Sequence, residues 1–141
     1  MLKIKEAAAG MPAQDIKRAR QFYEQKLGLV PGEEEPDGGV RYKTGDTYFF
    51  VFPSRGKASG DHTQMGLEVE DINAAVAELK SKGVTIEEYD YPDFKTVGGI
   101  VDMGYSKGAW FKDSEGNLVS ILQRVSVATG SSSRGGTSTT R

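Results

Sequence analysis

Hydrophobic and polar residues alternate strictly over residues 63–69, which predicts a strand with two different faces. One face carries the apolar residues at the odd-numbered positions. The opposite face carries Gln64, Gly66 and Glu68. A strand with one apolar face and one mixed face indicates a sheet that is covered on a single side.

A helix is predicted immediately after this strand. Asp71 stands at the N-cap position, and Gly83 provides the left-handed residue that commonly ends a helix. Between them, apolar residues follow the i, i+3, i+4, i+7 spacing of one buried helix face: Ile72, Ala75, Val76 and Leu79.

The start of the chain repeats this pattern. Asp15 and Ile16 correspond to Asp71 and Ile72 at one constant offset, and Gly28 ends the first helix. Each helix is followed by two runs that flank turn residues, at 44–46 and at 113–117.

Each half has room for one further strand, at 29–34 and at 84–88. Each half therefore reads as strand, helix and three strands. The predicted fold class is α+β, with two βαβββ modules forming a cleft or half-barrel, because a sheet with a helix on one face leaves its other face open. A pre-formed concave site of this kind favours ligand binding.

The boundaries follow from composition. A chain of 141 residues is long enough for one domain. Residues typical of linkers separate module 1, at about 1–54, from module 2, at about 62–125, with the linker at about 55–61. The final stretch, 126–141, has almost no apolar residues and is predicted to be a disordered tail.

Charge and cysteine content exclude several functions. Eighteen basic against twenty acidic residues give a net charge of -2, and the signs are interspersed, so nucleic acid is not an expected partner. Without the two arginines of the tail the body carries a net charge of -4, which favours a neutral or cationic ligand.

The absence of cysteines excludes disulfides and thiolate chemistry and fits a cytoplasmic location. No membrane span and no export leader are predicted.

Three motifs occur in a fixed order, namely MPAQDIKRARQFYEQKLGL, GLEVEDINAAVAELKSKGV and AWFKDSEGNLVSIL. Together they resemble the vicinal oxygen chelate superfamily, which includes glyoxalases, extradiol dioxygenases and bleomycin-resistance proteins. The resemblance covers nearly the whole chain before the tail and implies the fold. It does not decide the activity.

Metal-dependent members of that superfamily usually have a histidine seven residues before each helix-opening aspartate and a glutamate on each terminal strand. Carried onto this chain, the resemblance puts these four ligand positions at Ala8, Phe49, Gln64 and Ser120, with the register at Phe49 uncertain by about one residue. None is a usual ligand, so we expect no bound metal and no cofactor. Gln64, Glu68 and Ser120 are a poor oxygen set for a divalent cation.

The only histidine, His62, lies two residues before the second of these positions. That spacing displaces it by roughly 6 to 7 Å along the strand, too far for an unchanged metal contact. We expect His62 to be structural or exposed to solvent near the linker. A hydrogen bond from it to a ligand near the cleft mouth is the alternative.

An apolar or aromatic guest is the ligand that the remaining residues favour. The long segment 89–108 carries aromatic residues that can stack on such a guest, and Trp110 and Phe111 have opposite parity, so one of them must face the cleft. The predicted ligand-binding residues are Phe49, Val51, Gln64, Glu68, Tyr91, Phe94, Tyr105, Trp110 and Ser120.

Glu68 is the one candidate catalytic residue. If it is partly desolvated, its raised pKa would suit a base or a partner for a cationic ligand; if it is solvated, it is an ordinary carboxylate at the rim. The sequence otherwise has no GxSxG motif, no phosphate-binding glycine loop and no second histidine.

Three functions follow. The first is a metal-free small-molecule binding protein. The alternative is a glyoxalase-like lyase or isomerase, or a dioxygenase-related enzyme, with an atypical or absent metal site. The third is an interaction module, since such two-module chains often form homodimers. Whether the modules form the cleft within one chain or by exchange between two chains stays open.

Overall fold

The computed structural model of the chain describes residues 1–125, and the tail predicted at 126–141 lies outside the described residues. In the first module, Asp15 caps the helix by accepting a hydrogen bond from the Arg18 amide. The elements are β1 (Ala9–Ala13), α1 (Ile16–Gln21, continued by a π-helical turn at Phe22–Lys26), β2 (Pro31–Glu34), β3 (Val40–Thr44) and β4 (Thr47–Pro53). They form a sheet in the order β1-β4-β3-β2.

The second module begins at β5 (Thr63–Glu68), and Asp71 caps its helix through the Ala74 amide. The remaining elements are α2 (Ile72–Ser81), β6 (Asp90–Tyr91), β7 (Phe94–Lys95), β8 (Val101–Asp102), β9 (Ser106–Lys112) and β10 (Leu118–Arg124). The sheet order is β5-β10-β9-β8, and β6 and β7 form a separate small hairpin.

The strand predicted at 84–88 is wrong. Only an isolated bridge between Ile86 and Phe111 occurs there. The fourth strand of the sheet is β8 instead, which pairs with β9 after the chain has made the additional hairpin. The predicted α+β class with two modules is otherwise confirmed, and no helix in residues 1–125 has the length and apolar character needed to cross a membrane.

The two sheets share one core on their helix-bearing sides. The Tyr23 ring lies 5.4 Å from the ring of Phe49 in the first sheet, and its neighbour Phe22 lies 6.1 Å from Phe111 in the second sheet. Buried residues of both modules belong to the same hydrophobic cluster. The helices lie on this shared side, and the opposite face of each sheet is left open.

A buried polar cluster joins the modules at the β9–β10 turn. Asp113 is 6% exposed and accepts hydrogen bonds from the Tyr23 hydroxyl at 2.6 Å, from the Glu115 amide, and from the amide and side chain of Asn117. Burial, and then the Asp113 carboxylate, raises the pKa of Tyr23 well above its usual value, so its hydroxyl stays protonated as the donor.

Glu115 makes the second connection within this cluster. Both of its carboxylate oxygens accept from Arg18, at 2.8 and 3.0 Å, and one also accepts from the Asp15 amide. Burial raises the pKa of Glu115, but the hydrogen bonds from Arg18, Ser114 and the Asp15 amide outweigh it, so the pKa is lowered overall. The start of α1 is therefore bonded to the turn of the other module.

Candidate ligand-binding pocket

A concave pocket of about 730 Å³ lies on the open face of the second sheet. Side chains alternate between the two faces along each strand. Phe111 of β9 and Ile121 of β10 are buried, whereas their neighbours Trp110 and Ser120 point to the open side and form the pocket. All residues of the lining come from the second module. The volume is within the range of small-molecule sites. We call it the second-module pocket.

Two glycines in the pocket lining leave room for the side chains of their neighbours. Gly66, Ser120 and Trp110 lie side by side in register on β5, β10 and β9, and Gly108 lies in the next row. A β-carbon at Gly66 would lie 3.0 Å from Ser120 Oγ, and one at Gly108 would lie 3.3 Å from the Trp110 ring. The absent β-carbons therefore let the Ser120 hydroxyl lie close to Gly66 and the indole of Trp110 lie over Gly108.

Trp110 forms the aromatic wall at one end. Its indole Nε1 donates to Thr63 Oγ1 at 3.1 Å, and the rings of Phe94 and Tyr89 contact its ring at centroid distances of 5.5 and 5.8 Å. These contacts fix the orientation of the indole and leave it part of the pocket lining. The sequence left open whether Trp110 or Phe111 faces the cleft, and Trp110 does.

The other predicted aromatic residues differ in position. Tyr105 lines the pocket and is 69% exposed. Phe94 lies behind Trp110, whereas Tyr91 is 57% exposed and stacks on Tyr89. The pocket lining contains neither Phe94 nor Tyr91, so any part they have in binding would act through Trp110.

A pair of opposite charges lies at the rim. Arg124 Nε donates to Glu68 Oε1 at 3.1 Å, and both side chains are about half exposed. Glu68 therefore lies half exposed at the rim and is paired with Arg124.

Ser106 is a buried polar residue of the lining that sequence reasoning missed. It is 2% exposed, and its hydroxyl has no hydrogen-bond partner within residues 1–125. Gly66, Gly108, Leu122 and Arg124 were missed as well. Strand alternation was the signal that would have found them, because each lies two or four residues from a predicted site residue on the same strand.

The sequence model of the Glyoxalase/Bleomycin resistance protein/Dioxygenase superfamily matches residues 4–121. The chain belongs to this superfamily. No curated protein matches the sequence significantly.

Solved structures of similar fold include UcmS2, with 19% identity and a TM-score of 0.67, covering 86% of this chain and 98% of that one. A putative glyoxalase family protein from Bacillus anthracis has 14% identity and a TM-score of 0.66, with 89% and 100% covered. TnmS3, an antibiotic binding protein from Streptomyces sp. CB03234, has 17% identity and a TM-score of 0.61, with 87% and 100% covered. At these identities the likeness concerns the fold alone.

The positions that hold metal ligands in this superfamily do not fit a metal here. Ala8 precedes β1, Gln64 donates its amide to the Gly10 carbonyl at 3.3 Å, and Ser120 lies in the pocket floor. Within residues 1–125, no group of three or more His, Asp or Glu residues is close enough to hold a metal ion. His62 is exposed just before β5.

The prediction that Phe49 and Val51 face the cleft is wrong. They are 2% and 1% exposed, and Phe49 contacts the Tyr23 ring of α1 on the covered side of the first sheet. The open side carries Tyr48, Phe50 and Phe52, which line a second depression. The superfamily's ligand position on this strand therefore corresponds to Phe50, one residue after the predicted one.

Proposed function

We propose that this superfamily member is a small-molecule binding protein that works without a metal and holds an apolar or aromatic guest in the second-module pocket. The observation that carries the proposal is the combination of a pocket of about 730 Å³ and the Trp110 ring in its lining. Such a surface favours planar rings by burial and stacking. TnmS3, whose fold is similar, is described as an antibiotic binding protein, which supports the same class of function.

The metal-free part of the proposal rests on donor chemistry. Alanine and phenylalanine side chains offer no ligand at Ala8 and Phe50, and Gln64 and Ser120 offer only neutral oxygens. Proteins usually hold divalent cations with at least some carboxylate, imidazole or thiolate ligands. The carboxylate of the pocket lining, Glu68, is paired with Arg124.

Native mass spectrometry of the purified protein tests both parts. We expect an organic mass that is retained under native conditions and released on unfolding. Adding zinc, nickel, manganese or iron should leave the melting temperature unchanged, since only a ligand of the folded state raises it. A stoichiometric divalent cation in the native mass, or a large metal-dependent rise in melting temperature, would contradict the proposal.

We further propose that the protein acts as a homodimer in the cytoplasm. The open face of the first sheet carries partly buried aromatic residues, Tyr48, Phe50 and Phe52, and a two-fold axis would set this face of one copy over the second-module pocket of the other. Two identical clefts between modules of different chains would result. The cysteine-free sequence suits a reducing compartment, and cell fractionation checks the location.

Light scattering over a concentration series tests the dimer. We expect twice the chain mass at micromolar concentration and the single-chain mass for Phe50→Asp, because a charge in this aromatic face is costly to bury. Lys57→Asp, in the exposed loop between the modules, is the control and should stay dimeric. A monomer at every concentration for the unmodified chain would refute the arrangement.

A further inference from the structure

A second apolar depression lies between the two modules, on their helix-bearing side. Its volume is about 160 Å³. The apolar lining comes from the segment that follows α1 in the first module and from the sheet and α2 of the second module: Leu27, Leu29, Leu67, Val69, Leu79 and Phe111. We call it the inter-module groove. A molecule bound in it would contact both modules at once.

The volume of the groove limits the size of a ligand. An apolar cavity of about 150 Å³ lined by aliphatic and aromatic side chains holds one benzene molecule, which has six carbon atoms. Leu27, Leu29 and Leu67 are only partly buried, so a ligand that covers them removes further apolar surface from water. An apolar group of about five or six carbon atoms therefore matches the groove.

The charged residues of the lining leave the edge of the groove with an excess positive charge. Lys26 Nζ donates to the Lys82 carbonyl at the end of α2, at 2.6 Å, and forms no ion pair with any residue from 1 to 125. Glu78, the carboxylate of the lining, is paired with the Lys82 ammonium at 3.3 Å. An ammonium has three donors, so Lys26 has donors left for an anionic group.

The groove and the second-module pocket lie on opposite sides of the second sheet. Leu67 of β5 and Ile121 of β10 belong to both linings, so these two strands form the wall between the sites. Both sites can therefore be filled at the same time. A dimer contact through the open faces of the sheets does not cover the groove.

We propose that the inter-module groove is a second binding site, which takes a small carboxylate whose branched or cyclic apolar group has about five or six carbon atoms. The apolar group packs between Leu29, Leu67 and Leu79, and the carboxylate accepts a hydrogen bond from Lys26 Nζ. The net charge of the chain favours a neutral or cationic ligand, but charges beyond a Debye length of about 8–10 Å are screened, so Lys26 dominates at this site.

Two probes with the same branched five-carbon tail test the proposal, isocaproate and isoamylamine, which carry opposite charges. NMR titration of the backbone amides measures the affinity and shows where each probe binds. We expect isocaproate to bind with a Kd of the order of 1 mM. It should shift the amides of Leu29 and Ala75 and leave that of Tyr105, in the second-module pocket, unchanged. Isoamylamine should bind about tenfold more weakly, because Lys26 repels it.

Filling the groove from within tests its location. Ala75 lies in the lining, so Ala75→Leu places an isobutyl group in the groove. It should abolish isocaproate binding without lowering the melting temperature, because the added group occupies open apolar space. Ala77→Leu, at an exposed position of the same helix, is the matched control and should leave the binding unchanged.

Removal of the ammonium tests the charge selection. Lys26→Met keeps an apolar stem and should weaken isocaproate about fivefold without weakening isoamylamine. Lys80→Met is the matched control and should change neither affinity. It also removes an ammonium that donates to a backbone carbonyl, that of Gly98, but Lys80 lies outside the lining.

Unchanged isocaproate binding in Ala75→Leu, or no shift of the Leu29 and Ala75 amides, would overturn the site. A lower melting temperature for Ala75→Leu would overturn it as well, since it would show that the groove has no room for the added group. Equal affinities for the two probes, or no loss in Lys26→Met, would overturn the preference for a carboxylate. The guest of the second-module pocket is judged separately by the native mass.

Discussion

Tyr23 connects the two modules through a single side chain. Its ring packs against Tyr42 and Phe49 of the first sheet, at 5.7 and 5.4 Å, while its hydroxyl donates to Asp113 of the second module at 2.6 Å. The ring contributes apolar burial and the hydroxyl satisfies a buried carboxylate. Removal of the hydroxyl alone therefore tests the polar half of this contact.

Tyr23→Phe should lower the free energy of unfolding by about 1.5–3 kcal/mol, because a hydrogen bond to a buried charged group is lost while the ring stays. Urea denaturation followed by circular dichroism measures the change. Tyr91→Phe is the matched control, since the Tyr91 side chain is 57% exposed, and it should change the free energy by less than about 0.5 kcal/mol. Equal effects of the two substitutions would show that the bond to Asp113 contributes nothing.

At the scale of elements, the β6–β7 hairpin supports the wall of the pocket from behind. It carries Phe94, whose ring meets Trp110 edge-on at 5.5 Å, and Tyr89 just before the hairpin completes the contact. Buried Thr96 holds the base of the hairpin, because its hydroxyl donates to Glu88 at 2.6 Å and accepts from the Tyr89 amide. The hairpin therefore limits how far the indole can move.

Phe94→Ala should shift the tryptophan emission maximum to longer wavelength, because water reaches the indole when the ring behind it is removed. The substitution should also lower the free energy of unfolding by about 1 kcal/mol, the typical contribution of an aromatic pair. Tyr91→Ala removes an aromatic residue of the same hairpin that stacks on Tyr89 instead, so it should leave the emission unchanged. An unshifted spectrum for Phe94→Ala would mean that the hairpin does not shield Trp110.

Local signals explain what the sequence predicted well. The caps at Asp15 and Asp71 act on amides three residues away, so the helix starts follow from neighbouring residues alone.

The buried face of strand β4 could not be predicted in this way. The run from Tyr48 to Phe52 is apolar at every position, so alternation gives no indication of its buried face. The Tyr23 ring decides it by covering Phe49, and that contact lies far away in sequence.

The pocket was predicted in part for the same reason. Glu68 lies on the strictly alternating strand at 63–69, Ser120 was placed by the family resemblance, and Trp110 was one of two alternatives on its strand. All three line the pocket. Ser106 lies four residues before Trp110 on β9, so alternation places it on the same face, but its unpaired hydroxyl is visible only in the packed structure. The segment at 84–102 depends on distant pairing with β9, which periodicity does not report.

At the scale of the whole molecule, the turn at 113–117 connects the second module to the first through side-chain hydrogen bonds. Glu115 has a side chain that is 2% exposed, and its two oxygens bond Arg18 at the start of α1. The lowered pKa of Glu115 means that the folded state favours the ionised form, so the contribution of the Arg18–Glu115 ion pair to stability depends on pH. The contribution is present above the unfolded pKa of about 4.5 and is lost as the pH falls through the lower folded value.

Glu115→Gln should therefore be less stable than the unmodified chain at pH 7, and the difference should shrink as the pH falls below about 4.5, because protonation of Glu115 removes the same charge. Urea denaturation at a series of pH values measures this. Glu78→Gln, whose carboxylate is 65% exposed, is the control and should show little difference at any pH. If the difference in free energy of unfolding between Glu115→Gln and the unmodified chain were the same at every pH, a pH-dependent contribution of Glu115 would be excluded.

The two absent β-carbons at Gly66 and Gly108 also set how closely the Ser120 hydroxyl and the indole lie against the sheet. A methyl group at Gly66 would approach Ser120 Oγ to 3.0 Å and one at Gly108 would approach the indole to 3.3 Å, so each would push its neighbour outward. At Gly108 the displaced group is the indole itself. Exchanging this glycine for alanine would therefore move the aromatic wall toward the open volume of the pocket and leave less room beside it.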